Sequence, residues 1–361
     1  MILADRIDAL DDPDALAAAD PAGMLRDVAG AGAQLREAAF TSAEVDTAGV
    51  LEGLRPRSVV IVGMGGSAIA GDVLAAVAGV TAPVPIHVHR GFGLPGWVGA
   101  ADLVIGVSCS GRTEETLSAV EEAVRRGAPL VGVGAAESPL AELVHAGRGV
   151  VFGVPVGRMP RASIWALSAP ALVVGDRVGA ARVARADIDA AADTLDEWTE
   201  RCKPAKDAFL NPAKNLATAL AGRVPLIWGT SPVAAVAAYR GAAQLAENAK
   251  SAAVHGSLPE AGHNQVVALD AADAADRLAV VLLRDTEEHP QVARRADAVR
   301  AIADARGVPV HELRAEGEHP LSRLASLVAL VDFTSVYAAF LASVDPSPVA
   351  VIDELKAAVR E

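Results

Sequence analysis

Short runs of consecutive apolar residues alternate along this chain with stretches whose apolar positions return every three to four residues. The runs fall at 58–62, 103–107, 129–133 and 149–153, and again at 224–228 and 278–283, with mixed, histidine-containing strands read at 85–89 and 308–312. Runs of this length with no polar alternation predict strands buried on both faces, and helices between them predict a parallel sheet covered on both sides. Helices are predicted at 65–77, 114–126, 232–250, 289–305, 320–343 and 349–360. Residues 1–55 read as helical, with breaks at Asp11, Asp12, Pro13 and Asp14 and again near Pro21. Residues 154–222 read as mainly helical and connect the two series. The expected fold class is α/β, in two similar lobes. Each is a three-layer αβα sandwich and each begins strand, glycine, helix. The domains are expected at 1–155, with the N-terminal helices, and at 156–361, with the connecting helices and the C-terminal helix.

Composition narrows this picture. The 361 residues are 52% hydrophobic and 21% charged, which predicts a cored globular protein. Aromatics supply only 3%, so Ala, Val and Leu must build the core. A net charge of −13 argues against nucleic-acid binding and means that an anionic substrate needs a local positive field. Five lysines stand against 27 arginines, so each lysine draws attention. The start of the chain lacks the basic-then-apolar pattern of a signal peptide, and no uninterrupted apolar run has transmembrane length. A soluble, cytoplasmic protein with no membrane partner is expected.

The candidate chemistry begins between a strand end and a helix start. Ser108, Cys109, Ser110, Gly111, Arg112 and Thr113 join the predicted strand 103–107 to the helix 114–126. Free N–H groups and the positive end of the helix dipole await an anion there. Three hydroxyls and a glycine around such a point suit a phosphate. Cys109 has no evident partner base and reads as a packing residue. A second glycine-rich turn, Gly63, Gly65, Gly66 and Ser67, opens the helix at 65. It lacks the dinucleotide spacing because position 68 is Ala, and the next strand ends in His87, Val88, His89 and Arg90 without an acid. No Walker pattern is present. The cysteines and histidines show no metal-ligand spacing, so no metal and no cofactor are expected.

Other residues admit two readings from spacing alone. Arg240, Gln244 and Glu247 share one face of the predicted helix 232–250. A partly buried carboxylate there could serve as a base; a solvated face gives the same pattern. His263 lies in a Gly-containing turn before the apolar run 265–269, read as a place beside a strand. Arg161 follows Pro160 at a helix start, where a cation opposes the dipole and an anionic ligand would favour it. Lys356 lies four residues beyond Ile352 on the last helix.

Several of these segments resemble one family. The turn Gly63 to Ile69 and the loop Ser108 to Thr116 are similar to the first half of a double sugar-isomerase (SIS) protein. Arg161 with Pro160 and Ser163, the segment Gln244 to Lys250, Pro259 to Asn264, and Asp345 to Val349 leading to Lys356 resemble, in that order, the bifunctional phosphoglucose/phosphomannose isomerases. The match covers nearly the whole chain and is weakest over about the first 40 residues. Cys109 and Arg112 stand where that family usually carries Tyr and Asn, and Ala70 where a second Gly is common.

The resemblance implies two SIS-type lobes and a metal-independent aldose–ketose isomerase. It would interconvert glucose 6-phosphate, mannose 6-phosphate or both with fructose 6-phosphate through a cis-enediolate. Gly65, Gly66, Ser67, Ser108, Ser110 and Thr113 would bind the sugar phosphate. Glu247 would be the base, Arg161 would stabilise the enediolate, and Lys356 would contact the sugar oxygens. His263 would assist ring opening at the site of a partner subunit, which requires a homodimer. A non-catalytic phosphosugar sensor and an SIS isomerase of another specificity are the competing readings.

Overall fold

Nine strands form two all-parallel sheets in a computed structural model that describes residues 3–155 and 157–360. Val156 is outside these residues, so the expected 155/156 boundary falls at an undescribed position. In chain order the helices before the first strand are α1 (Leu3–Asp8), α2 (Pro13–Ala19), α3 (Met24–Ala29) and α4 (Ala31–Ala43). The first series is β1 (Val59–Val62), α5 (Gly65–Ala78), β2 (Ile86–His89), β3 (Leu103–Ser108), α6 (Glu114–Arg126), β4 (Leu130–Gly134), α7 (Pro139–Ala146) and β5 (Val150–Gly153). Helices α8 (Ile164–Arg177), α9 (Arg185–Cys202) and α10 (Pro212–Leu220) follow. The second series is β6 (Val224–Gly229), α11 (Pro232–Ala249), β7 (Val254–Ser257), α12 (Ala274–Arg277), β8 (Leu278–Arg284), α13 (Pro290–Asp304), β9 (Val310–Arg314), α14 (Pro320–Ala342) and α15 (Ala350–Arg360).

The chain divides into two compact units. The first lobe comprises 30–194 and 317–325; the second comprises 1–29, 195–316 and 326–361. The helices before Ala29 thus belong with the second series of strands.

In the first lobe the strand order is β2-β1-β3-β4-β5. Strands β1, β3 and β4 are wholly buried, as their all-apolar sequences predict. One core cluster joins Val60, Val62 and Val104 to Ala119, Val120 and Ala123 of α6 and to Leu140 and Val144 of α7. Asp102 pins the sheet at the entry to β3. Fully buried, it accepts from Arg57 Nη2 at 2.6 Å, Ser58 Oγ at 2.8 Å and the Gly99 N–H at 2.9 Å. Burial pushes the Asp102 carboxyl up, but these donors together hold it below the usual carboxylate range.

In the second lobe the order is β7-β6-β8-β9. Its core joins Leu226, Trp228, Val280 and Leu282 to Ala296 and Val299 of α13. The run 265–269 is not a strand. Residues Gln265–Asp270 form a 3-10 helix in which Leu269 is buried and Val267 is 66% exposed. Strand β7, with sequence Val-His-Gly-Ser, is a mostly exposed edge that no apolar run announces. Lys214 is fully buried, its Nζ donating to the carbonyls of Pro204 and Lys206 at 2.8 Å and pairing with Asp11 at 3.2 Å. That lysine is structural.

Helix α14 is the one helix among the described residues long and apolar enough to cross a bilayer. Its most apolar window is 89% buried within the chain, as a core helix would be.

Candidate functional site

The first lobe gathers seven of the ten candidate residues around two neighbouring helix starts. Helix α5 follows β1 after the turn at Gly63 and Met64, and α6 follows β3 after the loop 109–113. Neither helix has a side-chain cap, whereas α7 is capped by Ser138. First-turn N–H groups of α5 and α6 are therefore left to other acceptors. Thr113, at the cap position of α6, instead places its Oγ1 2.9 Å from Ser108 Oγ. The two loops are tied together, because the Cys109 N–H donates to Ser67 Oγ at 3.3 Å. Ser110 Oγ accepts from the Arg112 N–H at 3.3 Å and is otherwise exposed.

Two glycines make this geometry possible. Gly111 has φ +64°, and a Cβ there would stand 2.1 Å from Ser138 Oγ. Gly66 lies against the next element: a Cβ on it would be 3.6 Å from the Pro160 carbonyl oxygen and 3.7 Å from Arg161 Cα. Arg161 thus stands beside the start of α5, on a short 3-10 turn Pro160–Ala162, and is only 3% exposed. A buried arginine whose backbone lies against an uncapped helix start adds a cation to this lobe of a strongly acidic chain. Glu114 and Glu115, in the first turn of α6, work against that field, which leaves directed donors rather than net charge to hold an anion. Burial pushes the Cys109 thiol up, with Ser163 partly opposing, so Cys109 is a poor nucleophile.

The second lobe repeats strand, glycine and helix but closes the equivalent start. Ser231 caps α11, its Oγ accepting from the Ala234 N–H at 3.1 Å. The same hydroxyl donates to Asp285 Oδ2 at 2.7 Å, and Asp285 is 4% exposed. A buried carboxylate at a capped helix start repels a phosphate.

The remaining candidates stand on three separate elements of the second lobe. Glu247, near the end of α11, is half-buried. Its stripe is not a solvated face. Arg240 and Gln244 are each 1% exposed, and Arg240 pairs with Asp332 of α14. One residue beyond Glu247, the Asn248 amide donates to Ser335 Oγ at 2.8 Å. Lys250 closes the helix with φ +54° and donates to the Glu247 carbonyl at 2.7 Å. His263 ends the 3-10 turn Glu260–His263; it is exposed and its ring makes no hydrogen bond among the described residues. Lys356, on α15, is likewise exposed and without a hydrogen bond or ion pair among the described residues. Spacing did not reveal Asp332 and Ser335, although a lone acid inside the apolar run 324–341 is the signal that marks the first.

Residues 54–147 match the SIS domain, and residues 209–359 match the bacterial phospho-glucose isomerase C-terminal SIS domain. A bifunctional phosphoglucose/phosphomannose isomerase of Caldicellulosiruptor bescii is 34% identical over 304 residues, covering 84% of this chain and 89% of that protein. One from Aquifex aeolicus is 30% identical, covering 84% and 91%. A hypothetical protein of Thermus thermophilus shares the fold with TM-score 0.75 at 16% identity, covering 99% of this chain and 95% of that one.

Proposed function

The chain belongs to the family of bifunctional phosphoglucose/phosphomannose isomerases, and from that premise we propose how its residues carry out the aldose–ketose isomerisation of hexose 6-phosphates. The substrates are glucose 6-phosphate and mannose 6-phosphate, and the shared product is fructose 6-phosphate. Gly65, Gly66, Ser67, Ser108, Ser110 and Thr113 bind the sugar phosphate. The phosphate accepts from the hydroxyls and from first-turn N–H groups. His263 assists ring opening by moving the proton between the anomeric hydroxyl and the ring oxygen. Glu247 then takes the proton from C2 of the open aldose. Electrons move into the C1–C2 bond and leave a cis-enediolate with its charge on O1; the O2 proton passes to O1, and Glu247 returns its proton to C1 as the C2 carbonyl forms. Arg161 stabilises the charge that develops on the enediolate oxygens, and Lys356 contacts the sugar hydroxyls. The two aldoses differ only at C2, and the enediolate they share erases that difference. No step passes through a metal or cofactor.

The observation that carries this reading is the pair of uncapped helix starts tied together by the Cys109 N–H on Ser67 Oγ, with Ser108 and Thr113 paired in the loop before α6. It supplies a phosphate site in the lobe whose counterpart is closed by Asp285. We take the enzyme as a homodimer in which His263 serves the partner's site. Its exposure, and that of Val267 four residues on, suits a surface that a second copy covers. Both cysteines are free, which suits the reducing cytoplasm.

The test is an assay of the purified protein, after chelation, with glucose 6-phosphate and mannose 6-phosphate, each scored for fructose 6-phosphate. Turnover of both is expected. No turnover of either, with a sugar phosphate still raising the melting temperature, would favour a sensor or another specificity.

A further inference from the structure

The turn that carries His263 is tied to the sheet through one side-chain amide. Gln265, two residues on, places its side-chain amide between two strands of the sheet. Its Oε1 accepts from Trp228 Nε1 at 2.6 Å, and its Nε2 donates to the His255 carbonyl at 3.2 Å. Trp228 belongs to β6 and is fully buried, and His255 belongs to the edge strand β7. Gly256, paired with Trp228 in the sheet, opens the notch that the amide fills. A Cβ there would stand 2.9 Å from Gln265 Oε1, 3.0 Å from Nε2 and 3.1 Å from Trp228 Cδ1. The space, the donor and the acceptor fit one amide.

Either side of His263 the chain is pegged. Leu258, Ala261 and Leu269 enter the core of the second lobe. The Asn264 amide donates to Glu260 Oε1 at 2.9 Å across the turn, and Asn264 Oδ1 accepts from the Gln265 N–H at 2.6 Å. Between Ala261 and Gln265 only His263 and Asn264 stand out. The apolar pegs are not directional, whereas the amide fixes both distance and angle. Gln265 therefore sets the orientation of the backbone from which the His263 ring projects.

We infer that Gln265 is a positioning residue for His263, held in register by Trp228 and the Gly256 notch. The inference rests on the ring-opening role given to His263 above. It adds no group that touches substrate. It accounts for how the backbone bearing an exposed histidine is held in place although the ring itself makes no hydrogen bond among the described residues.

The test compares Gln265→Leu in two backgrounds. In the otherwise unchanged enzyme it is expected to lower kcat/KM about tenfold. On top of His263→Ala it is expected to add less than a twofold loss, because the residue it positions is already gone. Equal losses in both backgrounds would overturn the proposal, since a general structural defect multiplies. Gln265→Leu leaves Trp228 Nε1 buried and unpaired, so the double change Trp228→Phe with Gln265→Leu serves as the second variant. It removes donor and acceptor together, so no buried polar group is left unpaired; the smaller Phe leaves a cavity and lowers the melting temperature by its own amount, which Trp228→Phe alone measures. Relative to Trp228→Phe alone it should still show the tenfold loss, with faster amide exchange at residues 261–264 and no further change in β6 and β8. Unchanged exchange at 261–264 would also overturn the proposal. His263→Ala with full activity is the distinct outcome that would remove the role of His263 itself, and the positioning role with it.

Discussion

Arg240 and Asp332 form a bidentate ion pair, Nε to Oδ1 and Nη2 to Oδ2 both at 2.8 Å, that joins α11 to α14 two turns before Glu247. Both residues are buried, at 1% and 5% exposure. Just beyond Glu247, the bond from Asn248 to Ser335 repeats the link about two turns further along α11 and about one turn further along α14. The proposed base is thus bracketed by two buried polar ties to the same helix. Ordinary apolar packing lets helices slide by fractions of a turn; directional bonds at two points do not.

Breaking the pair from one side is therefore expected to be costly. Asp332→Ala strands a buried guanidinium and should lower stability by roughly 3–5 kcal/mol, read by denaturant unfolding. Arg240→Met together with Asp332→Leu removes both charges and should recover most of that loss. A double variant as unstable as the single one would mean that the helix register, not the stranded charge, sets the cost.

Glu247→Gln keeps the shape of the side chain but cannot take a proton. Isomerisation should fall by about 10²–10⁴-fold while the melting-temperature rise given by fructose 6-phosphate persists. Retained turnover would exclude Glu247 as the base.

The phosphate loop should speak through KM. Thr113→Ala removes a hydroxyl that both meets Ser108 and faces the helix start, and is expected to cost about 1–3 kcal/mol of substrate binding. Arg112→Asn is expected to raise KM only a few-fold, because the Arg112 side chain is exposed and a solvated charge acts weakly. The Arg112 effect should shrink with added salt. A KM unmoved by Thr113→Ala would place the phosphate elsewhere.

Acid should attack the first lobe through Asp102. Its pKa in the folded protein is below the unfolded value, so the folded state binds that proton less readily. The stability it contributes is present above the ordinary carboxylate pKa of about 3.9 and is lost as pH falls through the lower folded value. Melting between pH 5 and 2 should therefore be less steep in Asp102→Asn than in the unchanged chain. Parallel melting curves would show that the carboxylate contributes nothing through its ionisation.

The buried strands were legible because a parallel sheet covered on both faces asks for apolar residues at consecutive positions, as β1, β3 and β8 supply. Strand β7 was not, since an edge strand tolerates His255 and Gly256. The run 265–269 misleads for the same reason in reverse: its apolar residues are only partly used by the core. The hydroxyl loop was readable because every part of it is local. The surroundings of Glu247 were not, because Asp332 and Ser335 lie 92 and 87 positions from their partners. Nothing in the period of α11 distinguishes a polar stripe that meets water from one that meets a buried acid.

The capped and acid-lined start of α11 carries a consequence for counting. A chain built from two like halves ought to offer two docking points for an anion. Ser231 and Asp285 close one of them. Titration with inorganic phosphate should therefore saturate at a single equivalent per polypeptide. On the proposed reading the first half alone would hold the phosphate, and a second equivalent bound with similar affinity would show that Ser231 and Asp285 do not close the other start.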